Sequence, residues 1–155
     1  MKRVRPLTTV VVLVAILIGT GVWWVFFRGP SSSDCAPVRE LLSFNRTQIE
    51  RLNAKTHEPE PGSYGSETLP SELDYRDWTD GLADRASKVS NPDLAAPARD
   101  MAQTADRLVR ARLDYDAQAA RTAPGAAAPA SAMVVKAFND QFEGEVRGLL
   151  QTCPL

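Results

Sequence analysis

The chain has 155 residues, of which 24% are charged and 44% hydrophobic, with a formal net charge of −1. That balance suits one small globular domain with an apolar extension, and it excludes a wholly disordered polymer, a multispanning membrane protein and a large enzyme. One histidine and two cysteines exclude a site that needs two histidines, a zinc ribbon, or a cysteine-ligated iron–sulfur cluster within one chain.

Residues 7–27, LTTVVVLVAILIGTGVWWVFF, run for 21 positions without a charge. At helical rise this is roughly 32 Å, enough for a hydrocarbon core of about 30 Å. Lys2, Arg3 and Arg5 precede the run and Arg28 alone follows closely. The positive-inside rule therefore predicts a cytoplasmic N-terminus at residues 1–6, a signal-anchor transmembrane helix at 7–27 in the plasma membrane, and a periplasmic, extracytoplasmic location for the rest. Trp23, Trp24, Phe26 and Phe27 supply an aromatic belt at the outer end. The competing reading is a cleavable signal peptide, whose apolar region is about 7–15 residues and ends in small residues. Here bulky rings occupy that place, and Asp34 before Cys35 fits lipoprotein processing poorly. Ala15 and Gly19 form a small-xxx-small pair that offers a seam for a second membrane helix; the same spacing also arises from small lipid-facing residues in an ordinary anchor.

Residues 28–34, RGPSSSD, are a short polar linker that tethers residues 35–155 close to the span. Four helix-periodic segments follow and no stretch alternates as a strand does, which predicts an all-α domain. The first helix is expected over 36–56, with Asp34 as cap and Val38, Leu41, Leu42, Ile49 and Leu52 on one stripe. HEPEPGSYGSETLP breaks it. Ser71 stands three residues before Asp74, a capping pattern, and starts a second helix to about residue 90 with Leu73, Trp78, Leu82, Ala86 and Val89 inward. Asn91-Pro92 ends that helix and begins a third, over 93–121, with Leu94, Ala98, Met101, Ala105, Leu108 and Val109 on its apolar stripe. After the Ala/Pro connector TAPGAAAPAS, Val135, Phe138, Phe142, Val146, Leu149 and Cys153 make the clearest stripe in the chain.

Four helices with modest connectors predict an antiparallel up-down-up-down four-helix bundle, in which the start of the first helix and the end of the fourth share one end. Cys35 and Cys153 sit at those two places. Outside the cytoplasm a disulfide bond between them is expected, two free thiols or intermolecular bonds being the alternative. The other end carries the long connectors, and with them His57, Glu58, Glu60, Tyr64 and Glu67. These loop residues, with Ala15 and Gly19, are the candidate partner-binding positions, since loops on a rigid bundle carry contacts.

Catalytic signals are weak. His57 has no visible nucleophile, GSYGS around Ser63 lacks the G-x-S-x-G elbow, and the cysteines are not in a C-x-x-C pair. Asp74, Asp77, Asp80 and Asp84 share a helical face. They lack the wrapping loop of a calcium site, and Arg76, Arg85 and Lys88 are near enough to offset them. Asp106 with Arg110, and Arg112 with Asp116, are spaced as helix-supporting pairs. Trp78, Phe138, Phe142, Tyr115 and Met101 could line a slot for an apolar ligand or haem, but core packing explains them more cheaply, and haem would need an axial His, Met or Tyr. From Gly29 onward 14 Lys and Arg face 19 Asp and Glu, a net charge of −5, the wrong sign for nucleic acid. The Asn45-Arg46-Thr47 sequon matters only in a glycosylating host and falls on a predicted helix.

The Ala- and Arg-rich helices, the excess of Asp over Glu, the Ala/Pro linker and the ending LLQTCPL resemble exported proteins of high-GC actinobacteria. In this style the chain is similar to small single-pass cell-envelope proteins of mycobacteria. The resemblance implies a plasma-membrane anchor with an extracytoplasmic domain and carries no site residues. The expected function is that of a non-enzymatic accessory or scaffold subunit in contact with the lipid bilayer and a larger integral membrane protein complex through protein–protein interaction. No cofactor and no nucleic acid is expected, and the alternative is an extracytoplasmic lipid- or haem-binding module.

Overall fold

The computed structural model describes residues 30–56, 69–123 and 126–155. The chain divides into two compact units, Met1–Ser31 and Ser32–Leu155. The second holds the described helices: α1 (Ser32–Lys55), α2 (Glu72–Ser87), α3 (Pro92–Ala119) and α4 (Ser131–Thr152), with no strand among the described residues. None of these helices is long and apolar enough to cross a membrane. The expected span at 7–27 lies outside the described residues, as do its Ala15 and Gly19 and the loop residues His57, Glu58, Glu60, Tyr64 and Glu67.

Local chemistry sets the helix ends. α1 begins at Ser32, four residues ahead of the expected start at 36, so Asp34 lies within the first turn rather than before it as a cap. A carboxylate is favourable there because the first amides lack intrahelical acceptors and the dipole is positive. At α2 the expected capping box forms: the Ser71 hydroxyl accepts from the Asp74 amide at 3.2 Å, and Asp74 Oδ2 accepts from the Ser71 amide at 2.9 Å. The Asn91 side chain caps α3 by accepting from the Asp93 amide at 3.0 Å, with Pro92 at the first helical position, where its missing donor costs nothing.

The buried residues follow the sequence stripes with one clear exception. Val38, Leu41, Leu42, Leu82, Ala86, Ala98, Met101, Ala105 and Leu149 form one continuous core, but Leu73 is 67% exposed, against the expectation that it points inward. It precedes Trp78 by five positions, about 140° around the helix from the stripe that runs through Trp78, Leu82 and Ala86. Val89 is buried, but beyond the end of α2 rather than on it.

Side-chain pairs record how neighbouring helices run. Asn45 with Trp78, Glu40 with Arg85 and Lys55 with Asp74 set α1 against α2 in opposite directions. Thr104 with Glu145 and Gln118 with Ser131 do the same for α3 and α4. The turn before Pro92 folds α3 back along α2. α1 and α4 meet at one end, where Cys35 and Cys153 form the disulfide with Cα atoms 5.3 Å apart, and where Arg39 Nε donates to the Pro154 carbonyl at 2.7 Å.

One close approach depends on a glycine. A Cβ built on Gly81 would sit 2.2 Å from Cζ of Phe44, whose ring is covered on one face by the Arg85 guanidinium at 3.8 Å. Gly81→Ala should therefore lower the unfolding free energy by about 1–3 kcal/mol through overpacking. Gly144→Ala and Gly148→Ala, whose new methyls meet nothing within 4 Å, should each raise it by about 0.5–1 kcal/mol. Urea unfolding of the three variants checks both signs.

Candidate binding cleft

α1 and α4 are joined at the disulfide end, and toward the opposite end the four helices enclose a cleft of about 390 Å³. Its walls are Ile49 and Leu52 of α1, Leu69 and Pro70 ahead of α2, Trp78 of α2, Leu108 and Val109 of α3, and Val135 and Phe142 of α4. Asn53, Thr56, Tyr75, Arg112 and Asn139 contribute its polar edge. Such a size and such an apolar lining with few polar groups are those of small-molecule sites, which run from about 300 to 1,000 Å³.

Two anchored aromatic rings shape the interior. Trp78 and Phe142 meet edge to face, centroids 5.5 Å apart at 82°, a favourable arrangement of ring quadrupoles. The Trp78 indole N–H donates to Oδ1 of Asn45 at 3.0 Å, and Asn45 is only 5% exposed. The sequon asparagine is thus a buried acceptor for an indole, which leaves its side chain inaccessible to modification in the folded domain.

At the edge, Arg112 Nε donates to both carboxylate oxygens of Asp116, at 3.0 and 3.1 Å. Tyr75 is half-buried, and burial pushes its hydroxyl above the ordinary phenol value, with Arg112 pulling it down and Asp116 pushing it up more weakly. No hydrogen-bond partner for the Tyr75 hydroxyl is present among the described residues.

Of the five residues that could line an apolar slot, the structure brings Trp78 and Phe142 into the cleft. Met101 is wholly buried in the core, Phe138 is half-buried away from the cleft lining, and Tyr115 lies beneath the Arg112 guanidinium at 5.8 Å. Sequence reasoning missed Asn53, Leu69, Pro70, Tyr75, Arg112 and Asn139. Tyr75 and Asn139 stand three residues before Trp78 and four after Val135, a register that could have drawn them in.

The acidic face of α2 is dispersed rather than focused. Asp84 pairs with Lys88 at 2.7 Å, as expected, but Arg76 turns to Glu72 at 2.6 Å and Arg85 to Glu40 at 3.7 Å. No group of three or more His, Cys, Asp or Glu among the described residues could hold a metal ion. The helix-supporting pairs Arg110–Asp106 and Arg112–Asp116 both form. Sequence spacing did not reveal a partly buried knot between α3 and α4: Thr104, 1% exposed, donates to Glu145 at 3.0 Å and accepts from Gln141 at 3.1 Å.

Beside the cleft, Lys55 closes onto Asp74. The hydrogen bond from Lys55, and then those from Ser71, hold the Asp74 carboxyl down at about 2 against an ordinary 3.8. A carboxyl depressed in the folded state stabilises the fold above its unfolded value and loses that contribution as pH falls toward the folded one. The thermal midpoint should therefore drop as pH falls below about 4, and part of that drop should vanish in Lys55→Met. An identical pH profile in the variant would show that the pair adds nothing.

Comparison with known proteins gives no match: no family model, no curated protein and no solved structure is similar to this chain.

Proposed function

We propose that the chain is a non-enzymatic accessory or scaffold subunit of a larger cell-envelope membrane complex. Residues 7–27 anchor it in the plasma membrane, and the up-down-up-down bundle lies outside, docking through the end opposite its disulfide. One observation carries the docking end. Of the large hydrophobic side chains left exposed among the described residues, Leu69, Leu73, Met133 and Val134 all belong to that end, with only Leu155 at the other. Exposed apolar side chains that share one end of the bundle support a contact surface there. The charge-free span and the basic residues ahead of it support the anchor. The likeness in style to mycobacterial envelope proteins supports the compartment.

Co-purification of the tagged full chain from native membranes tests this reading. A protein partner should be recovered with wild type and with His57→Ala. It should be reduced roughly tenfold or more in Leu73→Ser/Met133→Ser/Val134→Ser, since two or three buried apolar contacts are worth more than the 1.4 kcal/mol that tenfold represents. Full recovery from the triple variant would overturn the distal dock, and a His57→Ala chain that behaves as a deletion would overturn the non-catalytic reading. A mature N-terminus near Gly29 would overturn the anchor.

A second reading, in which the domain holds a small apolar ligand, is favoured by the cleft itself. Its lining gives haem little support, because Tyr75 is the one axial-ligand type among the described lining residues. An uncoloured apolar molecule suits the walls better.

A further inference from the structure

We propose that the cleft holds the single chain of a neutral-headed lipid, of the monoacylglycerol type, with the chain against Leu52, Trp78, Val109 and Phe142 and the head group accepting a hydrogen bond from the Tyr75 hydroxyl. The proposal deepens the ligand-holding reading and rests on it.

Three observations lead to that chemistry. The walls are apolar and converge from all four helices, so the occupant's larger part is hydrocarbon, and about 390 Å³ suits one chain rather than two. The charge at the edge is balanced, because the Arg112 guanidinium is bonded to Asp116 one turn further along α3. An anionic head would meet the Asp116 carboxylate and would have to displace it from Arg112, while a cationic head would meet Arg112; a neutral head meets neither penalty. Tyr75 lines the cleft and is half-buried, its hydroxyl without a partner among the described residues. Half-buried phenols ordinarily find an acceptor, and an ester or alcohol oxygen supplies one. Burial also raises the Tyr75 value, so at neutral pH the group is a donor and not a phenolate.

Trp78 reports on the site directly. In full-length chain carrying Trp23→Phe and Trp24→Phe it is the sole tryptophan, and heavy-atom quenching by a chain-brominated probe requires contact with it. With the protein in nanodiscs, three probes of equal chain length are compared at equal lipid loading: a brominated monoacylglycerol, a brominated fatty acid and a brominated alkane. The monoacylglycerol should quench Trp78 to saturation. The fatty acid should need roughly tenfold more probe, and Tyr75→Phe should raise the half-saturation point for the monoacylglycerol about two- to tenfold, the value of one hydrogen bond, without moving that of the alkane. Val135→Phe, which places a ring in the cleft, should abolish saturable quenching, with the thermal midpoint confirming that it folds.

Absence of saturable quenching by every probe, or quenching unaltered by Val135→Phe, would overturn the ligand-holding reading together with the proposal. Alkane binding equal to that of the monoacylglycerol, fatty acid binding as tight, or indifference to Tyr75→Phe would overturn the neutral-head assignment while the ligand-holding reading stands.

Discussion

Breaking the Cys35–Cys153 bond is expected to lower the unfolding free energy by about 2–5 kcal/mol and the thermal midpoint by roughly 10–20 °C for a domain of this size. The two cysteines are separated by 118 residues, so the bond closes nearly the whole domain into one loop, and a loop of about that length restricts the unfolded ensemble by roughly 5 kcal/mol in the chain-entropy model. The native state adds a local reason. Cys35 and Cys153 are both buried in the core, and the interactions between α1 and α4 gather at this end. The clean comparison is Cys35→Ala/Cys153→Ala against oxidised wild type, since serine hydroxyls would be buried at both positions and add a cost of their own. Urea unfolding should show the midpoint falling and the slope rising, because an unfolded chain without the crosslink is less compact. An unchanged midpoint would mean that the bundle closes through its core alone.

That pairing was legible in the sequence for a topological reason. Helical periodicity places Cys153 at the end of the apolar stripe that includes Phe142 and Leu149, and Cys35 three residues ahead of Val38 at the head of another. Antiparallel connectivity then brings the two together. The helix starts at Ser71 and Asn91 were legible too, because capping chemistry is local and reads directly from residue type. Leu73 is apolar and close to a helix start, but its angle around the helix sets it off the stripe, so apolar character alone does not place it inward. The cleft was legible only in part. Trp78 and Phe142 stand on stripes, but a cleft is set by where packed helices diverge, which is a property of helix pairs in space and not of any one periodicity. Of the half-buried residues Tyr75, Arg112 and Asn139, Tyr75 and Asn139 are marked only by their register with Trp78 and Val135, and Arg112 only by its pairing with Asp116. Buried polar partners were missed for a related reason: Asn45 and Thr104 look like solvent-facing residues until the indole of Trp78 and the carboxylate of Glu145 arrive from other helices.

Trp78→Ala is expected to cost about 3–5 kcal/mol, the largest loss foreseen for a single side chain in this domain. Trp78 is nearly fully buried, packs edge to face on Phe142 and satisfies Asn45, so its removal forfeits apolar burial, an aromatic pair and a hydrogen bond together. The parts can be separated. Trp78→Phe keeps a ring against Phe142 but deletes the N–H, leaving the buried Asn45 oxygen without its donor, and should cost about 1–3 kcal/mol, most of it for that orphaned acceptor. Asn45→Leu alone leaves the indole N–H unpaired and should cost a similar amount. Combining Trp78→Phe with Asn45→Leu removes both polar groups, and the double variant should be more stable than the sum of the single losses predicts by about 1–2 kcal/mol. Additivity within about 0.5 kcal/mol would show instead that water satisfies each group when its partner is gone. Because Trp78 also forms a wall of the cleft, the Phe variant should retain a cleft and the Ala variant should open it toward the core, so a probe that contacts this wall should lose affinity in the second far more than in the first.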